Sequence, residues 1–202
     1  MSILNFFRRK SPAQALFDLR HVAVLASLTF RQHTNESNDE LNANGGAELL
    51  YFLLHITDTV MYQQLRPTRR AEYFDFLTLD AIRNYADAML NEKALDDMRA
   101  SAKVMMLSRF NARQTTYARC TSLAGEALPT PGSKIFALAF LVHRALGRTD
   151  RVKFDEILAG KESIKESEFK DFPGFADIVL WSAFAAGSIQ DMKLQQSIRA
   201  LR

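Results

Sequence analysis

The segment from Ala47 to Leu65 sets the tightest limit on what this chain can fold into. Leu49, Leu53, Ile56 and Val60 recur at steps of three and four, and Leu50, Leu54 and Met61 form a second stripe beside them. One apolar stripe makes a surface helix; two adjacent stripes make a helix covered on most of its circumference. Such a helix needs neighbours on several sides. The rest of the chain repeats helical spacing almost throughout, and alternating strand patterns are nearly absent. The expected fold is therefore all-α: a single-domain helical bundle of about seven to nine helices, with the Ala47–Leu65 segment at its centre.

The remaining elements follow from start and stop signals. Ser11 caps and Pro12 begins a first helix running to about Gln32. Asn35 to Gly46 is polar and ends in two glycines, which predicts a mobile loop over about residues 34–46. Pro67 stops the central helix, and Thr68 is the candidate cap of a helix to about Asn91. Residues 92–128 keep a helical pattern, with an interruption expected near 108–111, and Pro129–Gly132 breaks the chain. Ser133 caps a short apolar helix to Leu146, with Gly147 at its left-handed end. Thr149 caps a further helix ending near Gly160, followed by a charged loop over 161–171. A strongly apolar helix containing Trp181 is expected over 174–186, and Gly187-Ser188 separates it from a last amphipathic helix. The bundle domain is placed at residues 11–202 and a flexible segment at 1–10.

Composition removes several classes. The 202 residues include 15 Phe and 7 Met, enough apolar surface to offset the entropy of ordering the chain. A single cysteine, Cys120, excludes an intramolecular disulfide framework and a cysteine zinc cluster. The 26 basic against 23 acidic side chains give +3, too small an excess to imply nucleic acid or an anionic membrane by itself. At the N-terminus an apolar patch precedes Arg8-Arg9-Lys10, the reverse of a secretory signal. Arg20 and Arg31 bracket the apolar run at 22–28 too closely for a spanning helix. A cytoplasmic location is the expectation. Residues 1–10 also allow weak membrane-surface contact, with Phe6 and Phe7 inserted, as the alternative to their docking on the domain.

Two constellations carry chemistry. On the central helix Glu48, Tyr51, His55, Asp58 and Tyr62 follow steps of three and four, a polar face on an apolar helix. Buried polar groups need partners. The best supply is Asn111, Arg113, Gln114 and Tyr117, with Arg113 forking onto Asp58 and Gln114 or Tyr117 meeting His55 or Glu48. The alternative is a metal site or bundle-type enzyme centred on Glu48, His55 and Asp58. The spacing differs from the paired Glu-x-x-His sets of di-iron bundles, so no metal or cofactor is assigned. His143 reads as a core histidine and Cys120 as a small core hydrophobe, although its basic neighbours favour a thiolate. No phosphate-loop, nucleophile-elbow or His-Glu-x-x-His motif occurs, so no catalytic residue is assigned.

The second constellation is basic. No acid lies between Asp97 and Glu126, while Arg99, Lys103, Arg109, Arg113 and Arg119 do. The face formed by Arg99, Lys103, Arg109 and Arg119 is a candidate binding surface; acids such as Asp87 and Asp96 on nearby segments would instead make it an ordinary solvated face. The leading expectation is a non-enzymatic bundle that binds another protein. Nucleic-acid binding through residues 99–119 is the further alternative.

Overall fold

A computed structural model of the chain describes residues 10–90, 94–120, 132–148 and 175–202. Among them there is no strand. Six helices have at least 12 residues: α1 Pro12–Phe30, α2 Asp39–Gln64, α3 Pro67–Met89, α4 Asp96–Ala118, α5 Lys134–Ala145 and α6 Phe175–Met192. A six-residue helix, α7 Leu194–Arg199, closes the chain, and a short 3-10 turn, Arg31–His33, extends α1. The expected helix over 149–160, the loop over 161–171 and residues 1–9 lie outside the described residues. Among the described residues no helix is long and apolar enough to cross a membrane.

Six helices of at least 12 residues are counted among the described residues, against the seven to nine expected for the whole chain, and two breaks read from the sequence are not where it placed them. α4 runs through Ser108–Asn111 without interruption, and α6 runs through Gly187 and Ser188. The turn after α6 comes instead at Lys193, whose backbone is left-handed with φ of 46°. The helix after Pro67 starts at Pro67 itself, with Arg66 rather than Thr68 at the cap. Proline at the first helical position has no amide to satisfy, so it opens α3 as readily as it ends α2.

The largest correction falls on residues 34–46, read as a mobile loop. Residues 39–46 are helical. The Asn38 side chain accepts from the Glu40 and Leu41 amides, each at 3.0 Å, and Asp39 and Glu40 add negative charge at the positive helix end. The polar composition that resembled a loop is the capped first turn of a helix. Gly45 and Gly46 are not turn residues. A Cβ on Gly46 would stand 2.7 Å from the Ser27 carbonyl oxygen of α1, and closer still to the Tyr85 hydroxyl of α3. The glycine lets three helices meet there, and Tyr85 donates to the Ala43 carbonyl at 2.8 Å.

α2 packs against all six other described helices. Every residue from Gly45 to Thr57 is buried, which is what two adjacent apolar stripes require. Around this shaft the core joins Leu19 and Phe30 of α1, Tyr85 of α3, Phe110 of α4, Phe136 and Phe140 of α5, and Trp181 of α6. Trp181 is fully buried; its indole N–H donates to the His33 carbonyl at 3.0 Å, and its ring lies 4.7 Å from that of His143.

Candidate functional site: a polar seam between three helices

α2 and α4 lie side by side and run in the same direction. Arg109 donates to Asn44 at 2.7 Å, and Arg113 donates through Nε and one terminal nitrogen to Glu48 at 2.7 and 2.6 Å. Both contacts have a sequence offset of 65. This register explains why Arg113 does not fork onto Asp58, as the sequence suggested. The same offset carries Asp58 past the end of α4 at Ala118. Asp58 instead takes both oxygens to Arg70, at 2.8 and 2.7 Å, across the α2–α3 turn.

Glu48 is buried, and burial pushes its carboxyl above the ordinary range while Arg113 pulls the other way. The two-pronged bond is the geometry that satisfies both charges at once. Further along the seam, His55 Nδ1 is 2.6 Å from Gln114 Oε1, and His55 Nε2 is 3.0 Å from Lys134 Nζ at the start of α5. An ammonium only donates, so Nε2 accepts and the ring proton sits on Nδ1, facing the amide oxygen. The imidazole is thus held neutral. Burial, with Lys134 adding to it, lowers its pKa from the ordinary value. Lys134 also donates to the Tyr117 carbonyl at 2.9 Å, and burial lowers its own pKa.

The Lys134 contact is the part of the seam that sequence reasoning missed. Its signal was present: Ser133 accepts from the Phe136 amide at 3.1 Å, so Lys134 is the first helical residue. Long side chains there extend back past the helix start, here toward α2 and α4. Tyr51 and Tyr117 line the same seam, with Tyr117 5.2 Å from the His55 ring, and their buried hydroxyls have no hydrogen-bond partner in the structure. Asn111 and Tyr62 are exposed and stand outside the seam.

This arrangement does not present metal ligands. Both His55 nitrogens are engaged by protein groups, Glu48 is held by Arg113 and Asp58 by Arg70. Among the described residues no three His, Cys, Asp or Glu converge. Cys120 is half-buried, and burial raises rather than lowers its thiol pKa, against the effect expected from its basic neighbours.

The basic segment is answered from α3. Asp87 lies 2.9 Å from Lys103 and 3.5 Å from Arg99. With Arg113 committed to Glu48 and Arg109 on Asn44, Arg119 remains exposed at the C-terminal end of α4. Arg113 thus belongs to the seam and not to the basic face. α4 also exposes large apolar side chains: Leu95 at its N-cap, then Met98, Val104 and Met105. Comparison with known proteins finds no matching family model, no matching curated protein and no matching solved structure.

Proposed function

We propose that the protein is a docking module that binds an amphipathic helix of another protein, without reaction chemistry of its own. The observation that carries this reading is an open groove of about 450 Å³ between α1 and α3. Leu16 and Phe17 form one wall and Tyr73 and Phe76 the other, with Phe17 48% and Phe76 59% exposed. Two large aromatics about half exposed on facing helices, Phe17 with the Arg20 guanidinium 4.5 Å over its ring, are an uncommon use of apolar surface. A groove between helices receives the apolar ridge of a third helix, whose anchors recur at steps of three and four. Exposed Glu72 at the groove suits a basic residue beside that ridge. The polar seam supports the same reading from the other side, because its Glu48, Arg113, His55 and Lys134 side chains are engaged by protein groups and hold helices together.

The test is photo-cross-linking in the native cell with benzoylphenylalanine in place of Phe76. A discrete adduct that disappears on Phe17→Asp is expected, with unchanged thermal melting as the folding control, since both positions are exposed. Absence of any adduct, or an adduct indifferent to Phe17→Asp, would overturn the proposal.

A further inference from the structure

The outward face of α4 is a second uncovered surface, and it is ordered along its length. Among its exposed positions, residues 97, 98, 101, 104, 105, 108, 111, 112, 115 and 118 form a repeat of seven that marks one continuous stripe, flanked by exposed Asp96, Ala100 and Arg109. The opposite side of the helix is committed to the core through Met106, Phe110 and Tyr117. Within the stripe the N-terminal half is large and apolar, with Met98, Val104 and Met105 at 55, 70 and 50% exposure. The C-terminal half is mostly small, with Ser108, Ala112, Thr115 and Ala118 beside Asn111. Charge follows the same axis: exposed Asp97 stands at the N-terminal end and exposed Arg119 at the C-terminal end.

A partner for this stripe needs small side chains opposite the methionines, large ones opposite Ser108 and Thr115, a cation at one end and an anion at the other. A second copy of α4, turned end for end, has all four. We propose that two copies of this chain associate through α4, packed antiparallel about a two-fold axis at the helix midpoint. In that register Met105 of one copy meets Ser108 of the second, Met98 meets Thr115, and Ser101 meets Ala112. Asp97 comes within reach of Arg119 of the second copy at both ends. The contact is isologous, so each favourable pair occurs twice and the interface closes on itself. Methionine suits the role, since its flexible thioether fills gaps beside small neighbours. The helix dipoles run oppositely, whereas a parallel pair would set Asp97 beside Asp97 and methionine against methionine. This surface is separate from the α1–α3 groove, and either proposal can fail without the other.

Analytical ultracentrifugation of the full chain over a wide concentration range tests the association, and a reversible monomer–dimer equilibrium is expected. Met105→Glu places two carboxylates near the two-fold axis and should give a monomer with unchanged helicity. Ala112→Glu, on the other half of the stripe, is the second reading should the first variant fold poorly. Orientation is tested in a Cys120→Ser background by mixing Met98→Cys protein with Thr115→Cys protein under mild oxidation. A mixed disulfide is expected, with no disulfide between two copies of the Met98→Cys chain. A chain that stays monomeric, a dimer indifferent to both glutamates, or a disulfide joining position 98 to itself would each overturn the proposal.

Discussion

At the scale of single residues, the seam joins charges whose value depends on their partners. Glu48 and Arg113 lie mostly out of water, with 5% and 19% of their side chains exposed. Removing one member of such a pair leaves the other stranded, whereas replacing both by apolar groups of similar shape removes the desolvation cost together with the attraction. Glu48→Ala should therefore destabilise the fold by about 3–5 kcal/mol, and the double variant Glu48→Leu, Arg113→Met should recover most of that loss. Urea unfolding of the parent, both single variants and the double variant measures this directly. A double variant no more stable than Glu48→Ala would mean that the fork itself, rather than the stranded charge, sets the stability. The residues of this seam were legible in the sequence as a polar face on an apolar helix. Their pairing was not, because spacing along α2 says nothing about the register of α4, and that register moves Arg113 from Asp58 to Glu48.

At the scale of elements, the start of α2 shows where local composition misleads. Asn35–Gly46 has the residues of a loop, yet most of it is a capped helix whose paired glycines admit neighbouring helices. Helix propensity costs Gly about 1 kcal/mol against Ala, so on intrinsic grounds Gly46→Ala would stabilise. Packing reverses the sign. The added methyl would enter the space held by the Ser27 carbonyl and the Tyr85 hydroxyl, and neither backbone nor a buried ring yields cheaply. Gly46→Ala should lower stability by about 1–3 kcal/mol, read as a drop in melting temperature, and a higher melting temperature would refute the close approach. The helices themselves were readable where apolar spacing was strong, as in α2 and α5. The false breaks at 108–111 and 187–188 came from polar or small residues, exposed at Ser108 and Asn111 of α4 and partly or fully buried at Gly187 and Ser188 of α6. Such residues lower helical propensity without interrupting the backbone ladder.

At the scale of the whole molecule, His55 ties α2 to α4 and α5 and does so as a neutral ring. Its pKa in the fold lies below the ordinary 6.5, so between those two values the unfolded chain binds a proton that the folded chain refuses. Stability must then fall as the pH drops through the window below 6.5, and be fully present above it. Glu48, its carboxyl raised by burial, works with the opposite sign in the acid range, and Lys134 titrates from the alkaline side. A comparison that keeps both intact isolates the ring. His55→Gln should lower the melting temperature at about pH 7.5 and narrow its gap to the parent by about pH 5.5. A constant gap across that range would show that the imidazole does not titrate differently on folding.

The single tryptophan gives this architecture an optical signal of its own. Trp181 is anchored to His33, 148 positions away along the chain, and its ring is sealed among residues of α1 and α5. That bond closes the chain's late portion onto its beginning, a long loop whose closure is among the entropically costly acts of folding. An indole in that place changes its emission when water reaches it, and water reaches it when α6 lifts from α1. Intrinsic fluorescence therefore watches the closing of one chain end on the other, while circular dichroism counts helical turns wherever they form. Disagreement between the two traces during unfolding would time-stamp the moment when the ring of helices opens.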